Sequence, residues 1–159
     1  MMHRFISFIL ASLALLLVGC SSIERLDTAS VSELGQISVS ASSNRSEQIF
    51  HQHIMQYLDR YPAQDIRYRL TVKISESKSD TAVSMTVRYD LYDQQEGKVL
   101  ISDSIRASAT IGAVSSLYGQ DKAATFASER LAMQLSDKVY LKLLAYFNNL
   151  IHAETASAQ

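Results

Sequence analysis

Few residues in this 159-residue chain are placed for chemistry. His51 and His53 stand two apart in a segment of helical periodicity, where such neighbours point to different faces, so they are poor joint metal ligands and read as surface histidines. Tyr92 with Asp93, or Asp90 with Asp103, could be drawn as acid and base. No nucleophile or oxyanion site accompanies them, and the alternation of apolar residues in their strands explains most of their neighbours. The 5 glycines are scattered and form no phosphate-binding loop. One cysteine, Cys20, excludes an intramolecular disulfide framework and a thiolate-only zinc cluster. These residues predict a protein that is not an enzyme and that has neither a metal nor a cofactor. With 15 Lys+Arg against 16 Asp+Glu, the formal net charge of -1 argues against a general nucleic-acid binder.

One pattern does stand out. Arg67, Arg69, Lys73, Arg88 and Arg106 fall on the polar parity of three alternating segments, together with Thr71, Ser84, Thr86, Ser102, Ser104 and Ser108, and Asp90 is the main acid among them. If those segments form one sheet, its polar face is basic and rich in hydroxyls. Two readings are open: the solvated side of an antiparallel sheet, or a docking surface for something polar or anionic. For the second, the candidates are a phosphorylated glycolipid or the water-facing interior of a transmembrane barrel.

The elements that would position these residues follow from periodicity. Gln36 to Ala41 alternates as a short strand. Asn44 and Glu47 form a capping-box variant ahead of Phe50, Ile54, Tyr57, Leu58 and Tyr61 at helical spacing, and Pro62 stops the helix. Ile66, Tyr68, Leu70, Val72 and Ile74 alternate with polar residues, as do Val83, Met85, Val87, Tyr89 and Leu91. The turn Asp93-Gln94-Gln95-Glu96-Gly97 sends the chain back through Val99, Ile101, Ile105, Ala107, Ala109 and Ile111. Asp103 puts a carboxylate on the apolar parity of that last run, which predicts a bulge or an uncovered corner of the sheet. After a small-residue link from Gly112 to Gly119, a stripe of Ala124, Ala127, Leu131, Leu135, Val139, Leu143, Phe147 and Leu150 predicts a long amphipathic helix. The order β-α-β-β-β-α predicts an α+β two-layer sandwich, with two helices on one face of a mostly antiparallel four-stranded sheet.

The 47% hydrophobic content owes much to the N-terminus. His3 and Arg4 precede an almost unbroken apolar run from Phe5 to Val18, too short for a comfortable membrane span and laid out as a cleaved export signal over residues 1–19. Leu17-Val18-Gly19-Cys20 resembles the bacterial lipobox, which implies that Cys20 receives a diacylglycerol and, after cleavage, an N-acyl chain such as palmitate. Several chains anchor stably where one would be marginal. Ser21 after the cysteine, where Asp would favour retention in the inner membrane, implies delivery to the outer membrane of a Gram-negative cell. Residues 20–35 then read as a lipidated tether, 36–151 as the domain, and 152–159 as a disordered tail.

The whole arrangement resembles the LPS-assembly lipoprotein family, the plug subunit of the outer-membrane translocon for lipopolysaccharide. The resemblance rests on Tyr68-Arg69-Leu70-Thr71-Val72, on Tyr89-Asp90-Leu91-Tyr92-Asp93, on Gly97-Lys98-Val99-Leu100, and on a final helix through Tyr118, Ala123, Ala124, Ala127, Glu129, Arg130 and Leu131. It departs at Thr110 to Ser116, which lacks the aromatic residues many relatives carry there. The resemblance implies a lipid-anchored protein on the periplasmic side of the outer membrane that plugs a β-barrel LPS-assembly protein, assists its assembly and contacts lipopolysaccharide. Lys78 and Lys122 are the positions nearest to the family's lipopolysaccharide-contacting basic residues. Two other lipoprotein roles fit the same fold and anchor: an auxiliary subunit of an ABC-type lipid transporter, and an activator of a cell-wall synthase.

Overall fold

The computed structural model describes residues 32–61, 65–112 and 116–157, without the side chains of 154, 155 and 157. The expected signal, Cys20, most of the tether and Pro62 lie outside the described residues. Strand β1 (Ile37–Val39) leads to helix α1 (Arg45–Leu58), then β2 (Tyr68–Lys78), β3 (Ala82–Asp93), β4 (Lys98–Thr110) and the long helix α2 (Leu117–Ser157). The sheet order is β1-β2-β3-β4, with β1 parallel to β2 and the other pairs antiparallel. Both helices lie on one side of it, the two-layer α+β architecture that the alternation predicts.

The core forms where that alternation meets the helix stripe. Tyr68, Leu70, Val83, Met85, Val87, Tyr89 and Leu91 point from the strands toward Phe50, Ile54 and Leu58 of α1 and Leu131, Leu135, Val139, Leu143 and Phe147 of α2, all buried. Tyr68 and Phe147 meet with ring centroids 5.1 Å apart. The helices also clasp each other: Tyr57 stacks on Tyr140 at 4.6 Å, and Tyr57 and His53 both bond Oδ1 of Asp137, at 2.8 and 2.9 Å.

Local chemistry sets the ends of the elements. Asn44 caps α1 by accepting from the Glu47 amide at 2.9 Å, while the Glu47 carboxylate reaches back to the amide and hydroxyl of Ser43 and across to the Ile74 amide. At the β3–β4 hairpin Asp93 Oδ1 accepts from the amides of Gln95 and Glu96, and Gly97 supplies the positive φ of 68° that closes the turn.

The structure departs from the sequence reading at the margins. Leu34 is fully buried, so the domain begins inside the stretch assigned to the tether; one leucine among polar residues carries no periodic signal. Helix α2 runs on to Ser157, past residue 152 where the disordered tail was expected, while its Leu150 is exposed rather than part of the stripe. Ile66 precedes β2 and is also exposed. A register shift puts Leu91 opposite Ile101 but Tyr92 opposite Val99, which makes Leu100 an extra residue and turns Val99 out of the core, at 55% exposure. The bulge therefore precedes Asp103. The carboxylate of Asp103 stays on the helix side of this edge strand, where Lys142 of α2 and the Tyr89 hydroxyl bond it.

Candidate docking surface

The face of the sheet turned away from the helices is the polar face anticipated by the alternation, and the strand register gives its layout. Across β2 and β3, Arg69 lies opposite Tyr92, Thr71 opposite Asp90, Lys73 opposite Arg88, and Ser75 opposite Thr86. Across β3 and β4, Thr86 lies opposite Arg106, Arg88 opposite Ser104, and Asp90 opposite Ser102. Lys73, Arg88 and Arg106 thus fall on one patch, with Lys73 and Arg88 directly paired across strands. All three are exposed. Asp90 accepts from the Ser102 hydroxyl at 2.6 Å, and Arg69 donates to the Gln94 side chain at 2.9 Å. Shallow hollows follow the same face, one against Arg88, Asp90, Ser102, Asp103 and Ser104 and a neighbouring one against Arg69, Thr71, Asp90, Tyr92, Val99 and Ser102.

Arg67 does not join this patch. Its guanidinium bonds Asp93 at 2.9–3.0 Å and reaches Glu96 at 3.6 Å, while Asp93 is only 1% exposed. Burial alone would raise the Asp93 pKa, but the Glu96 and Gln95 amides and the Arg67 guanidinium outweigh it and hold the carboxyl below its ordinary 3.8. The alternation could not show this, because Arg67 lies just before β2, where the strand pattern no longer fixes its direction.

Lys78 and Lys122 come to the same end of the molecule. Lys78 closes the β2 arm of the β2–β3 hairpin and Lys122 lies in the first turns of α2, and the two segments join through the Gln120 side chain, which donates to the Asp80 carbonyl. Lys78 pairs with Glu76 at 3.1 Å, and the Lys122 ammonium sits 5.5 Å from the Tyr118 ring centroid. Beside them are apolar residues that the sequence reading did not single out as exposed: Leu117 at 86%, Tyr118 at 74% and Phe126 at 67%. The signal was available, since Tyr118, Lys122 and Phe126 recur at four-residue spacing on the side of α2 away from its Leu131–Leu135–Val139 stripe.

The remaining chemical candidates disperse. His53 is occupied by Asp137, and His51 lies on another face of α1, near Ile37 and Met55. Asp90 is on the open face and Asp103 on the helix side, so they form no carboxylate pair. Burial and the Asp103 carboxylate push the Tyr89 hydroxyl up to about 12. Among the described residues no group of three or more His, Cys, Asp or Glu is placed to hold a metal ion, and no helix is long and apolar enough to cross a membrane.

No family model and no curated protein matches the chain. Solved structures do resemble it. A candidate lipoprotein from Caulobacter crescentus is 18% identical with a TM-score of 0.63, over 76% of this chain and 97% of that one. A minor lipoprotein from Acinetobacter baumannii is 14% identical with a TM-score of 0.53, over 69% of this chain and 90% of that one. A protein from Xanthomonas campestris is 10% identical with a TM-score of 0.51, over 73% of this chain and 78% of that one. At these identities the likeness is one of fold: the chain is built as these bacterial proteins are.

Proposed function

We propose that this protein is a non-enzymatic outer-membrane lipoprotein, anchored through Cys20 on the periplasmic side, that plugs and helps assemble the β-barrel translocon inserting lipopolysaccharide into the outer leaflet. The observation that carries the reading is the open sheet face: a hydroxyl-rich and cationic surface on a domain whose core is complete without it. A barrel lumen is polar, so a plug needs a polar exterior and an independent core. The lipobox-like Leu17-Val18-Gly19-Cys20 and the fold shared with lipoproteins support the anchor. The dispersal of the acid–base and metal candidates supports a role by binding. Lys78 and Lys122, at one end beside Leu117, Tyr118 and Phe126, combine charge with exposed apolar surface, which supports the reading that this end contacts lipopolysaccharide.

The test is affinity purification of the full chain from detergent-solubilised outer membranes, followed by mass spectrometry. The reading expects a large β-barrel LPS-assembly protein as the principal companion. Recovery of inner-membrane ABC-transporter subunits, or of a peptidoglycan synthase, would replace it with the corresponding auxiliary role.

A further inference from the structure

Strand β4 is an edge of the sheet along its full 13 residues, because the strand order ends with it. An unpaired edge is a template for another strand, and proteins usually blunt it. The first half of β4 is blunted twice. The extra residue at Leu100 interrupts the ladder, and the Asp103 carboxylate turns back on the strand, where its Oδ1 accepts from the Ser104 amide at 2.7 Å while Lys142 and the Tyr89 hydroxyl bond Oδ2. Nothing of the kind follows Ser104. The Ile111 amide bonds the Thr81 carbonyl at 2.7 Å and continues the ladder to β3, which gives Ile105, Ala107 and Ala109 the same inward bonding direction. The amides and carbonyls of Arg106, Ser108 and Thr110 therefore point outward, and no group among the described residues bonds them.

This free half reads nearly the same in both directions: Ile105-Arg106-Ala107-Ser108-Ala109-Thr110-Ile111 departs from a palindrome only at Arg106 and Thr110. The strand that such a pattern fits, run antiparallel, is its own copy. We propose that β4 pairs antiparallel with β4 of a second copy about a twofold axis at Ser108, joining the two four-stranded sheets into one. Ile105 then lies opposite Ile111 of the second copy, Ala107 opposite Ala109, and Ser108 opposite its counterpart. Apolar residues meet on the helix side, where Ile105, Ala107 and Ala109 are only half-buried in one copy, and hydroxyls meet on the open side. Arg106 and Thr110 face each other, and the outward groups of Arg106, Ser108 and Thr110 supply about six backbone hydrogen bonds. The two Arg106 side chains stand four residues apart along the interface, about 13 Å, beyond the screening length of about 8 Å at physiological salt. Moving the axis to Ala107 would set Ile105 against Ala109 and make the two Arg106 side chains diagonal neighbours, so the register is specified. A strand of another protein would require no such symmetry. The inference stands apart from the docking reading of the open face, which stays on one side of the joined sheet.

The experiment sediments the full chain over a range of protein concentrations in a large excess of detergent micelles, so that anchors sharing a micelle do not count as association. A monomer–dimer equilibrium is expected. With a short bis-maleimide, Ser108→Cys should cross-link into dimers, whereas Ser84→Cys, which pairs with Ser108 one strand further in, should not. Thr110→Lys places a cation opposite Arg106 of the second copy, and Thr110→Glu an anion. Through two symmetric contacts the first should weaken the dimer by about fivefold and the second strengthen it by a similar factor. Both should melt near the wild-type temperature, because Thr110 is exposed. Ser108→Pro removes an outward amide, which an edge strand tolerates, and should abolish the dimer. A chain that stays monomeric overturns the proposal, as does a dimer that the Thr110 variants leave unchanged or equal cross-linking at positions 108 and 84. If the chain is monomeric and Ser108→Pro loses the β-barrel in co-purification, the edge takes a strand of the barrel and the second copy is wrong. Opposite responses to Thr110→Lys and Thr110→Glu support the pairing and its register.

Discussion

Arg67 and Arg69 are two residues apart and share a charge, yet they have opposite commitments. Arg69 is exposed and donates to the Gln94 side chain, whereas Arg67 neutralises an Asp93 that is otherwise closed off. Arg69→Glu should leave the melting temperature nearly unchanged, as exposed charges contribute little. Arg67→Glu should lower it clearly, because it sets two carboxylates against each other at the hairpin that starts β4; equal melting curves would show that the Arg67–Asp93 pair does not hold that turn. Glu47 carries a comparable structural duty. Burial would raise its pKa, but the Ser43 hydroxyl and the amides of Ser43, Ile74 and Asn44 prevail and hold it below its ordinary 4.5. Glu47→Ala leaves those donors unpaired and should cost about 1–3 kcal/mol, read from denaturant unfolding. Glu76, Asp93 and Asp103 are depressed as well. A group whose folded pKa lies below its unfolded value contributes stability that is present above the unfolded value and lost as pH falls through the folded one. Stability measured against pH should therefore decline on acidification from about pH 4.5 downward, the ordinary glutamate value, and a flat acid limb would contradict these assignments.

Among the elements, α2 does most to unite the layers. Leu135 and Leu143 are fully buried against the sheet. Replacing either with Asp puts an unpaired carboxylate in the core at a cost of several kcal/mol, against a typical total stability of about 5–15 kcal/mol. Leu135→Asp or Leu143→Asp should abolish cooperative thermal unfolding, and an unaltered melting curve would mean that another face of the helix is buried. The elements whose burial repeats with a fixed period were legible in the sequence: β2 from Tyr68 to Ile74, β3 from Val83 to Leu91, and α2 from Leu131 to Phe147. What escaped were features that a period does not encode. Leu34 packs alone, and the extra residue at Leu100 shows only as a register shift that turns Val99 from the core to the open face. Asp103 was legible as an anomaly, but its solution, Lys142 of α2, 39 residues further along the chain, depends on tertiary packing.

At the scale of the whole molecule, one side of the sheet carries the helices and the core, and the other carries the basic, hydroxyl-bearing face. That division was legible from parity alone, as was the membership of Arg69, Lys73, Arg88 and Arg106. The departure of Arg67 and the clustering of Lys73, Arg88 and Arg106 required the strand register. The proposed anchor makes a separate prediction. Cys20→Ala, with the signal still cleaved, should release the protein from the outer-membrane fraction, because lipid attachment and not the domain holds it there; wild-type recovery in that fraction would exclude the lipid anchor. The central claim, that the open face docks the protein on its partner, is tested most directly by Arg69→Glu/Arg106→Glu. The account predicts an unchanged melting temperature together with sharply reduced co-purification of the β-barrel, since reversed charges at an interface cost several kcal/mol. A folded variant that recovers the barrel as wild type does would contradict it and leave the face as solvated surface.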